Sequence, residues 1–116
     1  MEKKNIIKEK SFLFAIEIVG LFKVLADRKE FVLSRQLLRS GTSIGANVRE
    51  AEQAQSKADF IHKLSISLKE ANETEYWLEL LFETQYISES EFLNLKPKII
   101  ELLKLLTSII NTSKIK

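Results

Sequence analysis

The 116 residues carry 45% hydrophobic and 29% charged side chains, the balance of one soluble globular domain with enough chain to bury a core. The absence of cysteine excludes disulfides, thiolate metal sites and a cysteine nucleophile, and only 3 glycines and 1 proline interrupt a helix-favouring excess of Leu, Ile, Lys and Glu. The formal net charge of +2 hides an uneven layout: residues 1–49 hold 10 basic and 5 acidic side chains, residues 50–91 hold 3 and 10, and residues 92–116 hold 5 and 1.

The first eight residues are interrupted by charge too soon for a signal peptide. The best apolar run, from Phe12 to Ala26, contains Glu17 and Lys23 and is too short to span a bilayer. The expectation is a cytoplasmic protein without a membrane segment. Helical periodicity then divides the chain into a first helix over about residues 8–26, ending at Asp27-Arg28-Lys29-Glu30. Its apolar positions fall into two stripes. Phe12, Ala15, Val19, Phe22 and Ala26 form one; Phe14, Ile18, Leu21 and Leu25 form the other. Together they cover roughly 200° of arc, where a single core-facing stripe needs about 100°.

The second helix is expected over residues 34–53 and directs Leu37, Gly41, Ile44, Gly45, Val48 and Ala51 to the core. Two glycines inside a helix cost about 1 kcal/mol each relative to alanine, and close approach of a neighbouring helix is the packing reason for them. Gln36, Arg39, Ser43, Asn47 and Glu50 line an adjacent polar face at spacings of one helix side. Pairing of Arg39 with Glu50 and of Ser43 with Asn47 would make either a ligand or partner groove, or a network that sets subunit register.

The third helix, residues 57–84, opens on Ser56-Lys57-Ala58-Asp59, with Ser56 placed to cap. Phe60, Leu64, Leu68, Ala71, Leu78 and Phe82 face inward, leaving Ile66, Trp77 and Leu80 on a second side. The second stripes on two helices, Phe14, Ile18, Leu21, Leu25, Ile66, Trp77 and Leu80, are expected to bury against other subunits, the alternative being one wider core. The fourth helix, residues 89–110, opens on the capping box Ser88-Glu89-Ser90-Glu91, and Pro97 within it predicts a kink. Short connections make neighbours antiparallel, so the fold is an all-α, up-down-up-down four-helix bundle in one domain.

Glu70, Glu73, Glu75, Glu79 and Glu83 raise the question of a di-metal bundle, but that chemistry needs Glu-x-x-His pairs, and His62 is the only histidine. With one His and no Cys, neither metal nor nucleophilic catalysis is indicated, and no phosphate-cradling glycine loop is present. No cofactor, no metal and no enzymatic activity are expected. Arg28, Lys29, Arg35, Arg39 and Arg49, with Lys3, Lys4, Lys8 and Lys10, are the candidate phosphate contacts of a salt-dependent RNA or DNA binder.

Two stretches carry a family resemblance: Arg35 to Arg39 running into Ser43-Ile44-Gly45-Ala46-Asn47-Val48-Arg49-Glu50-Ala51, and Asp59 to Ala71 continuing into Glu73-Thr74-Glu75-Tyr76-Trp77-Leu78. Both resemble the bacterial "four helix bundle protein" family encoded in intervening sequences of large-subunit ribosomal RNA genes. The family's Ser-Ile-x-Ala-Asn-x-x-Glu core matches Ser43, Ile44, Ala46, Asn47 and Glu50; Gly45 and Ala51 depart from its common Pro and Gly. The resemblance implies a homopentamer, and kinship with the accessory protein of diversity-generating retroelements, a basic barrel that binds a reverse transcriptase and nucleic acid. The expected function is a non-catalytic oligomeric module binding RNA or DNA, with a nucleic-acid enzyme as a partner. The runner-up is a protein-interaction scaffold using an Arg39, Asn47 and Glu50 groove, flanked by Glu70 and Glu73, or the acidic face of the third helix.

Overall fold

Two serines begin two of the helices, each through a bond that only a short side chain at a helix start can make. Ser56 Oγ accepts from the Asp59 amide at 3.0 Å and opens α3, Lys57–Glu83. Ser88 Oγ accepts from the Glu91 amide at 3.1 Å while Glu91 Oε1 accepts from the Ser88 amide at 2.8 Å, a reciprocal box that opens α4, Glu89–Ile115. The other two helices are α1, Lys3–Asp27, and α2, Leu33–Glu52. These elements come from a computed structural model that describes residues 3–115, with side chains from Asn5 onward. No strand is present among the described residues, and α4 continues five residues past its expected end with Pro97 inside it.

The turn between α1 and α2 is built by a residue the sequence reading passed over as loop. Lys29 adopts a left-handed conformation with φ 67°, its amide bonding the Ala26 carbonyl and the next amide, Glu30, reaching Leu25 O at 2.9 Å. This closes α1 and turns Glu30 inward, where it is buried. Its carboxylate then accepts from the amides of Val32 (3.2 Å), Leu33 (3.1 Å) and Ser34 (2.6 Å) at the start of α2. A negative group at the positive end of a helix is stabilised by those aligned amides, so a buried acid does the work of an N-cap. Gln85, at φ 67°, closes α3 by the same pattern.

Each helix packs against its two neighbours, giving a rod of 46 × 21 × 21 Å. Contacts across the seams run in opposite senses along the two helices. Ile18 meets Gly41 and Ser11 meets Gly45 between α1 and α2; Ser40 meets Thr74 and Ile44 meets Ser67 between α2 and α3. The fold is therefore the antiparallel bundle expected. A Cβ on Gly41 would stand 2.9 Å from Ile18 Cγ2, and one on Gly45 would stand 3.3 Å from Ser11 Oγ, so both glycines are there for close helix approach.

The core corrects the assignment of the α1 stripes. Phe14, Ile18, Leu21 and Leu25, read as subunit-facing, are buried within this chain together with Ile7 and Ser11. The stripe read as inward leaves Phe12 and Val19 exposed. Ile66, Trp77 and Leu80 are half-buried, and Trp77 packs against the core. In α3, Leu81 fills the core alongside Leu64, Ala71 and Leu78, and Ser67 and Thr74 are buried with them.

Candidate interaction surfaces

The polar edge of α2 meets the acidic edge of α3 at Arg39. Its guanidinium reaches Glu70 at 3.2 Å and also pairs with Glu73, whose Oε2 in turn accepts from Trp77 Nε1 at 3.0 Å. Tyr76 sits edge-on to Trp77 with ring centroids 5.0 Å apart, and is exposed. This Arg39–Glu70–Glu73–Trp77 cluster replaces the expected pairing of Arg39 with Glu50. Eleven residues separate those two along one helix, roughly 16 Å at 1.5 Å per residue, so they cannot meet. Glu50 instead faces Lys63 on α3 at 3.8 Å. Ser43 and Asn47 do not join a network of side chains either. Ser43 Oγ donates to Arg39 O at 2.6 Å and Asn47 Nδ2 donates to Ser43 O at 2.9 Å, folding both groups on to their own helix.

The predicted phosphate contacts separate into engaged and unengaged cations. Arg28 makes a two-pronged ion pair with Glu91, both arms at 2.9 Å, and also donates to Tyr86 O at 2.7 Å. The hydrogen bond from Arg28 holds the Glu91 carboxyl below its ordinary range, and the same bond raises the arginine. Arg28 thus fastens the end of α1 to the start of α4. Lys8 pairs with Glu52 at 3.1 Å and Lys10 with Glu101 at 3.1 Å. Lys98 pairs with Glu17 at 2.7 Å; partial burial raises the Glu17 carboxyl, but bonds from Lys98 and Asn94 outweigh it and leave the group lowered. Lys96 is held between Glu75 and Glu79 at 3.0 and 3.1 Å.

Of the five arginine and lysine positions singled out from the sequence, Lys29, Arg35 and Arg49 have no carboxylate partner among the described residues. Arg49 lies over the Phe12 ring, 4.8 Å from its centroid. Lys29 and Arg35 flank the exposed Phe31 and Val32 at one end of the rod, and Arg49 lies towards the other, roughly 21 Å along α2 from Arg35. The structure does not gather the predicted set into one patch. The side chains of Lys3 and Lys4 lie outside those described.

What sequence reasoning missed is the surface opposite the core on α1. Phe12, Leu13 and Ile16 are 49%, 52% and 53% exposed, and the partly exposed Val19 and Val24 lie on the two edges of this outer face. Leu13 and Ile16 belong to neither stripe drawn from the sequence; an all-round apolar helix was the signal, since such a helix is apolar on a side its own core cannot use. A groove of about 360 Å³ runs beside this ridge, lined by Asn5, Lys8, Glu9, Phe12, Leu13 and Arg49. No described helix is long and apolar enough to cross a membrane.

Comparison with known proteins agrees with this architecture. A solved structure, a protein with unknown function from the S23 ribosomal protein family of Bacteroides thetaiotaomicron VPI-5482, superposes with a TM-score of 0.93 at 60% identity, over 95% of this chain and 99% of that one. No curated protein matches. Residues 3–108 match the family described as 23S rRNA-intervening sequence protein. That match spans the bundle from the first described residue of α1 almost to the end of α4, and so the chain belongs to the 23S rRNA-intervening sequence protein family.

Proposed function

We propose that the protein is a non-catalytic binding module that acts as an assembly of identical copies joined through the outer face of α1. The observation that carries this reading is the row of Phe12, Leu13, Ile16, Val19 and Val24 on the side of the helix facing away from its own core. Contiguous exposed apolar surface of this kind marks an interaction site in a soluble protein, because leaving it in water forgoes about 25 cal/mol per Å². A ring of five copies is the form that the family resemblance implies. Sedimentation of the full chain across a range of concentrations tests the reading. A multiple of the 13.4 kDa chain mass is expected, and a monomer at every concentration would refute it.

A second reading, binding of RNA or DNA, is favoured by Lys29, Arg35 and Arg49, which have no carboxylate partner among the described residues. Lys29 and Arg35 flank exposed Phe31, a pairing of charge and aromatic surface suited to unpaired nucleotides, and an assembly would repeat it. Titration with single-stranded RNA and DNA, beside structured RNA and duplex DNA, at low and moderate salt tests it. Affinity that falls steeply with salt is expected, and no binding at low ionic strength would dismiss it.

A further inference from the structure

The two ends of the bundle are packed differently. At the end where α1 finishes and α4 begins, Leu37, Leu81, Ile87 and Leu95 are all buried, and the rings of Phe82 and Phe92 stack with centroids 4.5 Å apart. At the other end the core-facing row of α2 runs out in smaller side chains, from Ile44 through Val48 to Ala51, with Ala54 just past the helix. A cavity of about 440 Å³ opens there, between the starts of α1 and α3 and the ends of α2 and α4. Volumes of roughly 300–1,000 Å³ are those of small-molecule sites, and the space between the helices of a bundle is a usual place for them.

The walls are of two kinds. Ile7, Val48, Leu64 and Ile109, all core residues, together with half-buried Phe60, give the cavity an apolar surface. Lys8 and Glu52 give it one cation and one anion, paired at 3.1 Å with their side chains 43% and 34% exposed. Among the described residues no other charged side chain lines it. An ion pair this exposed contributes about 0–1 kcal/mol, so opening it to admit other ions costs little. A ligand with a single charge would engage one of these two groups and take it from the other. A ligand with both charges would replace one ion pair by two, while an apolar side chain entering beside Phe60 and Leu64 leaves water at a gain of about 25 cal/mol per Å².

We propose that this cavity binds a zwitterionic small molecule with an apolar side chain, of the class of the free apolar α-amino acids, its carboxylate on Lys8 and its ammonium on Glu52. The site is formed within one chain and does not depend on assembly.

The test is a titration of the full chain, followed through the methyl resonances of Ile7, Val48, Leu64 and Ile109. Three probes share one apolar body: leucine, isocaproate, which lacks the ammonium, and isoamylamine, which lacks the carboxylate. Leucine is expected to shift these methyls and to bind about two- to fivefold more tightly than either half, the worth of one exposed ion pair. Glu52→Gln should weaken leucine by a similar factor without weakening isocaproate, because Lys8 then has no competing carboxylate. Lys8→Gln should weaken leucine without weakening isoamylamine. Both substitutions change exposed groups and leave the core as it is, so loss of the fold cannot imitate this crossed pattern. Methyls that leucine leaves unshifted even at tens of millimolar would overturn the site. Binding of either half as tight as that of leucine, or weakened isocaproate binding in Glu52→Gln, would overturn the zwitterionic ligand.

Discussion

Ile18 fills the volume that a side chain at position 41 would need: its Cγ2 and Cγ1 lie 2.9 and 3.0 Å from the site of a Cβ on Gly41. Ile18 is β-branched and fully buried, so it has no other rotamer to retreat to. Gly41→Ala is therefore expected to lose about 1–3 kcal/mol, the range for overpacking, despite the better helix propensity of alanine. Gly45→Ala meets Ser11 at 3.3–3.4 Å and should lose less, while Gly20→Ala should gain up to about 1 kcal/mol in an isolated chain. Denaturant midpoints at one fixed protein concentration rank the three. Equal effects at positions 20 and 41 would contradict the packing account.

Glu30 supplies an acceptor to three amides at the start of α2 from a buried position. Glu30→Ala strands those donors and is expected to cost about 1–3 kcal/mol, with Glu30→Gln intermediate because it keeps an acceptor but not the charge. Amide exchange should rise first at residues 32–34 in either variant. A global loss of protection with no local preference would mean that Glu30 acts through the core instead.

Protonation should loosen the Arg28–Glu91 fastening. The folded-state carboxyl of Glu91 lies below its ordinary 4.5, so it binds its proton more readily when unfolded. Its stabilisation is complete above that value and is lost as pH falls through the lower folded value. Glu17 has the same sign. Stability of the wild type is expected to fall below about pH 4.5, and Glu91→Gln, weaker at neutral pH, should fall less over the same interval. Parallel acid profiles for the two proteins would remove Glu91 from the explanation. Lys96, raised by Glu75 and Glu79 against the opposing effect of burial, keeps its contribution until pH climbs past its ordinary 10.5.

Trp77 is the only tryptophan, and its indole N–H is held by the carboxylate that also binds Arg39. Arg39→Met is expected to cost less than about 1 kcal/mol, as exposed ion pairs do, while leaving Glu70 and Glu73 to repel each other. The movement of Glu73 should red-shift the emission of Trp77 with the far-ultraviolet dichroism unchanged. Unaltered emission would show that Glu73 is positioned without the arginine.

Local chemistry was legible in the sequence and distant partnership was not. Ser56 and Ser88 announce their helices because a cap needs only the next three residues. Gly41 and Gly45 announce close approach because nothing else excuses them inside a helix. Periodicity found two apolar stripes on α1 but assigned them the wrong way round, since angle around a helix says which residues travel together and not which way they point. Ile7 and Ser11, extending the stripe of Phe14 and Ile18 towards the start of the chain, settle the direction. The fate of the cations was beyond reach for a different reason. Lys8, Arg28 and Lys10 find their carboxylates 44, 63 and 91 residues away, distances over which no pattern rule operates. Glu30 left one faint sign, an acid four residues before a serine at a helix start.

The buried bonds from Ser67 to Ile44 O (2.8 Å) and from Thr74 to Ser40 Oγ (2.9 Å) have a consequence for how many bundles this chain can form. Sliding α3 past α2 by one turn, about 5.4 Å, would part Ser67 from Ile44 O and Thr74 from Ser40 Oγ. Thr74 would keep its bond to Glu70 O on its own helix, whereas Ser67 would lose its acceptor on α2, at about 1–3 kcal/mol for a buried group left unsatisfied. Apolar contact draws the two helices together, and the hydroxyls that cross the seam act as detents favouring one axial setting.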